Sequence, residues 1–227
     1  MKYMGSKNRI AKPLLEIILR NRQPGQYYVE PFVGGANLID KVENPRIGND
    51  INSYLIALLQ ATQNGWLPPK EINETWYHDI KYFTEKYEKA LVGYTGFQLS
   101  YGALWFSNYR KDKTKKRNYS KEAYNNIIKQ IPGLKGIEFH NKNYWELIIP
   151  HNSIVYCDPP YQGTTSYKIN FDHEKFWNWV RKIKKQGHQV FISEYNAPED
   201  FKCIWEKPII SQISKKGNKN RVEKLFI

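Results

Sequence analysis

The chain has 227 residues, 41% of them apolar, which is enough for one sizeable hydrophobic core. Its 35 Lys and Arg against 22 Asp and Glu leave a formal charge of +13, which favours a polyanionic partner over a neutral one. The opening "MKYMGSKNRI" has no apolar stretch, "PLLEIIL" is broken by Glu16, and the five His are dispersed, so no leader, membrane span, membrane partner or metal site is expected. Cys157 and Cys203 lie in strand-like surroundings and read as small core residues of a cytoplasmic protein, with no disulfide.

In chain order, residues 10–20 carry apolar residues at helical spacing, entered through Pro13 in the first turn. "QPGQ" breaks the chain and 27–32 reads as a strand. "VGGAN" is a glycine turn expected to open a helix through about Val42. "NPRIGNDIN" holds a second strand ending at Asn49 and Asp50, and a helix over 53–63 follows with Ser53 as its expected N-cap. Strand, turn, helix, strand and helix in that order begin a doubly wound sheet. From Gly65 to about Gly136 the composition becomes basic and aromatic, with helices expected over 71–88 and 121–130. Strands are then predicted over 137–140, 153–157 and 189–193, and a helix over 173–185 with Trp177 and Val180 on its inner face. Short strands over 203–205, 209–213 and 222–226 close the sheet. The expected fold is α/β, with a mostly parallel, doubly wound sheet in two sequence pieces and a mainly helical lobe inserted between them.

"YYVEPFVGGANL" puts Glu30 at a strand end and two glycines in the turn that follows, where backbone N–H groups can approach a ligand closely. Asp50 ends the next strand, the position from which a carboxylate accepts both hydroxyls of a ribose. The pattern is not GxGxxG and has no Gly-Lys-Ser/Thr, so a nucleoside without a phosphate string fits better. S-adenosylmethionine is such a ligand, with a ribose for Asp50, an ammonium for an acid, and a sulfonium for aromatic and carboxylate neighbours such as Phe32. An ordinary glycine turn, and for "KYMGSK" a capped helix start at Ser6, are the competing readings.

"SIVYCDPPY" ends an apolar strand in Asp158, Pro159, Pro160 and Tyr161. Two prolines make a rigid exit, but a turn asks for no tyrosine. Further on, "NYRKDKTKKRNYSK" carries Arg110, Lys111, Lys113, Lys115, Lys116 and Arg117, flanked by Tyr109 and Tyr119. A second basic cluster holds Lys215, Lys216, Lys219 and Arg221. Each could be a solvated face; in a chain of this charge they are candidates for phosphate contact.

Taken together, "KYMGSK", "EPFVGGAN", "NDIN" and "DPPY", in this order, resemble the Dam-type DNA adenine-N6 methyltransferases, a family dependent on S-adenosylmethionine. The resemblance covers residues 2–63 and from about 136 to the end. It implies a Rossmann-like catalytic domain of residues 1–64 and 136–227 and a target-recognition insert of 65–135. It further implies that Tyr3, Lys7, Glu30, Phe32, Gly34, Asp50 and Asp158 hold the cofactor. Glu30 stands where many members carry aspartate, and Tyr3 replaces another aromatic. Double-stranded DNA is the implied partner, with a cognate restriction endonuclease left open, and no metal is required.

The chemistry gives the tetrapeptide a purpose. The amine of adenine is a poor nucleophile because its lone pair is delocalised into the ring. Asp158 and the Pro159 carbonyl can each accept one of its N–H groups, and Pro160 fixes the exit. Tyr161 offers a stacking face to a base that must be flipped out of the duplex. Cytosine N4 or an RNA base as acceptor, a protein glutamine, and a DNA-binding relative without catalysis stay open as alternatives.

Overall fold

The computed structural model describes residues 1–112, 114, 116–163, 171–210 and 220–227, with the side chains at 209, 210, 220 and 221 left aside. Seven strands among these residues form one sheet: β1 (Tyr28–Glu30), β2 (Arg46–Asn49), β3 (Ile137–His140), β4 (Ile154–Cys157), β5 (Gln189–Glu194), β6 (Cys203–Ile210) and β7 (Asn220–Phe226). Their order is β3-β2-β1-β4-β5-β7-β6. The first five strands run parallel, and β7 runs antiparallel between β5 and β6. Among the described residues six α-helices accompany them: α1 (Ala11–Ile18), α2 (Ser53–Gln63), α3 (Glu74–Tyr82), α4 (Lys89–Gln98), α5 (Tyr119–Leu134) and α6 (His173–Lys185). This is the mixed α/β architecture expected from the sequence.

The strand residues alternate between two apolar layers, as the pleat requires. Tyr28, Ile154 and Tyr156 face a layer built with Leu14 and Ile18 of α1 and Leu55 and Leu59 of α2. Val29, Val155 and Cys157 face the other layer, against Phe176, Val180 and Ile183 of α6. Strands buried on both faces read as continuous apolar runs, which is why "IVYC" shows no polar alternation. A third cluster joins Leu58 of α2 to Tyr77, Ile80, Val92, Tyr94 and Ile127 of α3 to α5. Phe97 and Leu134, from α4 and α5, lie in the first layer, so these helices share its core.

Several local expectations are corrected. No α-helix follows the glycine turn: Ala36 adopts a left-handed φ of 53°, and only a 3-10 turn forms at Ile39–Lys41. Asn52, not Ser53, caps α2, accepting from the N–H groups of Tyr54 and Leu55. The helix expected over 71–88 starts at Glu74 behind the Asn73 cap and stops at Phe83, whose ψ of 50° breaks it. Helix α4 follows, where none was expected. Gly93 lets it lie on α2, since a Cβ there would come within 2.3 Å of the Tyr54 carbonyl oxygen. The strands expected over 203–205 and 209–213 are one strand to Ile210, with an irregularity between Cys203 and Trp205, and residues 211–213 fall outside the described residues. Cys203 is exposed, not in the core.

Helix α5 is joined to the glycine turn by polar bonds. The buried Gln130 amide donates to the Gly35 and Ala36 carbonyls, each at 3.0 Å, and to Asp40 at 2.9 Å. Arg46 donates to the Ile39 and Gly133 carbonyls at 2.8 Å and to that of Lys135. No helix among the described residues is long and apolar enough to cross a membrane.

Candidate active site

Because β1, β2 and β4 are parallel, their carboxyl ends lie along one edge of the sheet. Glu30 ends β1, Asp50 follows β2 and Asp158 follows β4. The order of strands reverses between β1 and β4, and in open α/β sheets the crevice outside such a reversal receives ligands. The sequence thus brings three carboxylates to one place through strand direction alone.

The glycine turn is fastened to Asp50. The Gly34 N–H donates to one carboxylate oxygen at 3.2 Å and the Asn52 N–H to the other at 2.9 Å. Burial pushes the Asp50 carboxyl up to about 6, and these two bonds offset only part of that. Gly34 has a left-handed φ of 49°, and a Cβ at this position would lie 2.9 Å from the Tyr3 ring. Tyr3, packed on Phe97 with ring centroids 5.4 Å apart, therefore forms one wall of the turn.

Glu30 is buried and accepts the Tyr28 hydroxyl at 2.9 Å. Burial raises its carboxyl well above the usual range, the Tyr28 bond opposes this, and the Asp158 charge adds to it. Phe32 packs into an aromatic group with Tyr144 at 5.1 Å, Phe176 at 5.7 Å and Phe171 at 5.9 Å.

Asp158 is engaged with Lys7. The lysine ammonium lies 2.8 Å from Asp158 and 3.4 Å from Glu223 of β7, with side-chain exposures of 8%, 23% and 3% for Lys7, Asp158 and Glu223. Burial lowers the Lys7 pKa, but the charges of Asp158 and Glu223 outweigh it and leave it above the ordinary lysine value. Glu223 also accepts the Tyr161 hydroxyl. The Lys7 ammonium stands 4.8 Å from the Tyr161 ring centroid, and the Tyr195 ring meets that ring edge-on at 4.7 Å. Pro159 is buried and Pro160 partly so, both beyond the strand. Glu194, at the end of β5, accepts the N–H groups of Tyr195 at 2.9 Å and Gln162 at 3.3 Å, and burial pushes it up to about 8. An open depression of about 430 Å³ adjoins Gln162, lined also by His173, Trp177, Arg181 and Asn196.

The basic candidates divide. Glu122 of α5 gathers Arg117 at 2.7 Å, Lys2 at 3.1 Å and Arg110 at 3.6 Å. The Arg110 guanidinium covers the Tyr119 ring at 3.8 Å. Lys111 pairs with Glu74 at 2.8 Å, and Lys116 is exposed. The Tyr109 hydroxyl donates to the Ile72 carbonyl at 2.7 Å and its ring packs on Tyr77, so this tyrosine is anchored in the helical cluster. Lys113, Lys115, Lys215, Lys216 and Lys219 lie outside the described residues, and for Arg221 only the backbone pairing with Ile209 in the sheet is described.

Glu194 and Glu223 are the site residues that sequence reading passed over. The signal was present: each shares a strand face with a buried apolar residue two positions away, Ile192 and Leu225, so period two placed both acids inside.

A doubly wound sheet whose carboxyl edge gathers a glycine turn, a strand-end acid and an Asp-Pro-Pro-Tyr exit defines a Rossmann-like methyltransferase. Over residues 3–91 and 73–219 the sequence matches the family model of the D12 class N6 adenine-specific DNA methyltransferases, and the chain belongs to that family. It is 27% identical over 218 residues to the DNA adenine methylase of Salmonella typhi, covering 86% of this chain and 74% of that protein. The DNA adenine methylase of Escherichia coli K12 is 26% identical over 216 residues, with the same coverage. The type II methyltransferase M.FokI of Planomicrobium okeanokoites is 24% identical over 212 residues, 81% of this chain, and the chain spans only 32% of its length. Among the described residues no group of three or more His, Cys, Asp or Glu is placed to hold a metal ion.

Proposed function

We propose that the chain methylates the N6 amine of an adenine flipped out of duplex DNA, in the cytoplasm, with S-adenosylmethionine as donor. The observation that carries this reading is the convergence of Glu30, Asp50 and Asp158 on one edge of the sheet beside the Gly34 turn.

The residues present suit that cofactor. Asp50 is partly exposed and keeps acceptor capacity for ribose hydroxyls beyond the two backbone bonds it already takes. Glu30 is a desolvated acid that an ammonium beside it would stabilise in its charged form. Tyr3, Phe32 and Gly34 provide the walls, and Lys7 acts at the Asp158 side of the pocket. When bound, S-adenosylmethionine supplies the methyl group, its S–C bond breaking as the N6–C bond forms and the sulfonium leaving as a neutral thioether.

Asp158 accepts one N–H of the substrate amine and the Pro159 carbonyl the other, favouring the pyramidal amine of the transition state over the flat ground state. Pro160 holds the chain direction after that carbonyl, and Tyr161 gives the extruded base a stacking surface worth about 1–3 kcal/mol. The nitrogen's surplus proton passes to water once the methyl is in place, and no covalent enzyme intermediate is needed. Residues 65–135 form the proposed target-recognition unit, with Arg110, Lys111, Lys113, Lys115, Lys116 and Arg117 on phosphates, joined by Lys215, Lys216, Lys219 and Arg221. Tyr109 supports this unit from within.

The test is incubation of the chain with isotopically labelled methyl donor and plasmid DNA, followed by nucleoside mass spectrometry. Labelled N6-methyladenine from the native chain and none from Asp158→Ala is the expected result. Label on cytosine, or equal label from both proteins, overturns the reading.

A further inference from the structure

Glu223 has no part in the chemistry just described, yet it touches two of the residues that do. One ammonium, that of Lys7, is shared between Asp158 at 2.8 Å and Glu223 at 3.4 Å. The same Glu223 carboxylate accepts the Tyr161 hydroxyl. A carboxylate paired with an ammonium is a weaker acceptor for the N–H of an aromatic amine, since the ammonium draws on its charge even where, as here, the pair is made through one oxygen, Oδ1. Asp158 serves a substrate amine best when Lys7 moves off it, and a buried ammonium cannot move off without another anion within reach. Glu223 is that anion. It sits on β7, which is paired to β5 and β6, so its position is fixed by a ladder and not by a loop. Burial pushes its carboxyl up, the Lys7 charge offsets only part of that, and Asp158 adds a smaller upward push, so it stays above the ordinary value.

We propose that Glu223 is a positioning residue of the methyl-transfer site: it holds Lys7 and Tyr161 together and takes the Lys7 ammonium from Asp158 when a substrate amine arrives. The inference rests on the role assigned to Asp158 above. Lys7 then guards the acceptor in the resting enzyme and stays compensated in the working one. Tyr161, bonded to the same carboxylate, keeps its ring in register with the exchange.

The experiment measures steady-state methylation of plasmid DNA by the full chain and its variants. Glu223→Gln keeps the shape and removes the charge, so Lys7 stays on Asp158. Its kcat is expected to fall about tenfold or more, with both KM values within about twofold of native. Glu223→Asp, which keeps the charge, should recover much of that loss. Adding Lys7→Gln to Glu223→Gln removes the guard and should make the double variant faster than Glu223→Gln alone, an order that a purely structural role does not produce. Tyr161→Phe deletes a single oxygen and stands as the second probe should Glu223→Gln fail to fold; its kcat should drop several-fold. Native kcat in Glu223→Gln or in Tyr161→Phe, equal losses in the Gln and Asp variants, or no recovery in the double variant would each overturn the proposal. If instead native chain and Asp158→Ala methylate adenine equally, the assignment of Asp158 fails, and that outcome is read separately.

Discussion

Lys7 and Asp158 are joined at 2.8 Å across the site, the first from the 3-10 turn before α1 and the second from the end of β4. The pair is asymmetric, because Lys7 has a second anion in Glu223 whereas Asp158 is the more exposed partner. Asp158→Asn should therefore abolish activity while changing stability by no more than about 1 kcal/mol. Lys7→Met leaves two acids facing each other with no cation and should cost about 3 kcal/mol or more. Urea unfolding of the two variants compares them, and equal losses would contradict the geometry.

The pH dependence of stability has a definite sign. Asp50 and Glu194 stand at about 6 and about 8 in the folded chain, against 3.8 and 4.5 for the free groups. The folded chain binds more protons between those limits, so its stability is fullest below them and falls as pH rises through them. Urea midpoints should decline steadily from acid to mildly alkaline pH, and Glu194→Gln should flatten the upper part of the decline. Affinity for the methyl donor should run the other way, rising as Asp50 ionises near pH 6 and losing that rise in Asp50→Asn. Calorimetric titration across this range is the check.

Neutralising an acid should strengthen DNA binding. Glu122 holds Arg117, Lys2 and Arg110 within 3.6 Å, and these cations are engaged internally in the free protein. Glu122→Gln should release them to phosphates, steepening the plot of log affinity against log salt by about one charge or more. Lys116→Ala should flatten it. Fluorescence anisotropy at several salt concentrations decides, and an unchanged slope in Glu122→Gln would place the cluster away from the duplex.

Gly34→Ala tests the turn. A methyl group there meets the Tyr3 ring at 2.9 Å, on a backbone whose φ of 49° already disfavours a side chain. The left-handed backbone alone costs about 1–2 kcal/mol, and the collision adds to it. Binding of the methyl donor should weaken more than folding does, and Tyr3→Ala in the same chain should recover part of the binding. Calorimetry and thermal melts together separate the two effects.

Much of the scaffold was legible because its elements obey simple periods. Helix α6 and strand β3 fall where apolar spacing put them, and α2 differs only in that Asn52 supplies the cap. The miss at α4 has a physical cause: Gly93 and Gly96 have low helix propensity, yet they sit where α4 meets the Tyr54 backbone and the Trp105 ring. Helix packing outweighed propensity there. At the site, Asp50 and Asp158 follow from strand ends, which sequence marks well. The engagement of Lys7 with Asp158 and Glu223 was not legible, because it depends on three segments far apart in the chain meeting at one point. The anchoring of Tyr109 was hidden for the same reason, since its partners Tyr77 and Ile72 belong to another helix and its approach.

The Gln130 amide, bonded to the Gly35 and Ala36 carbonyls and to Asp40, sets a rule for anyone building chimaeras. An exchanged segment of the proposed recognition unit that ends before this glutamine preserves the seam, whereas one that replaces it strips buried main-chain oxygens of their donor. The usable splice point in α5 thus lies on the N-terminal side of Gln130, and grafts cut beyond it inherit a weakened junction.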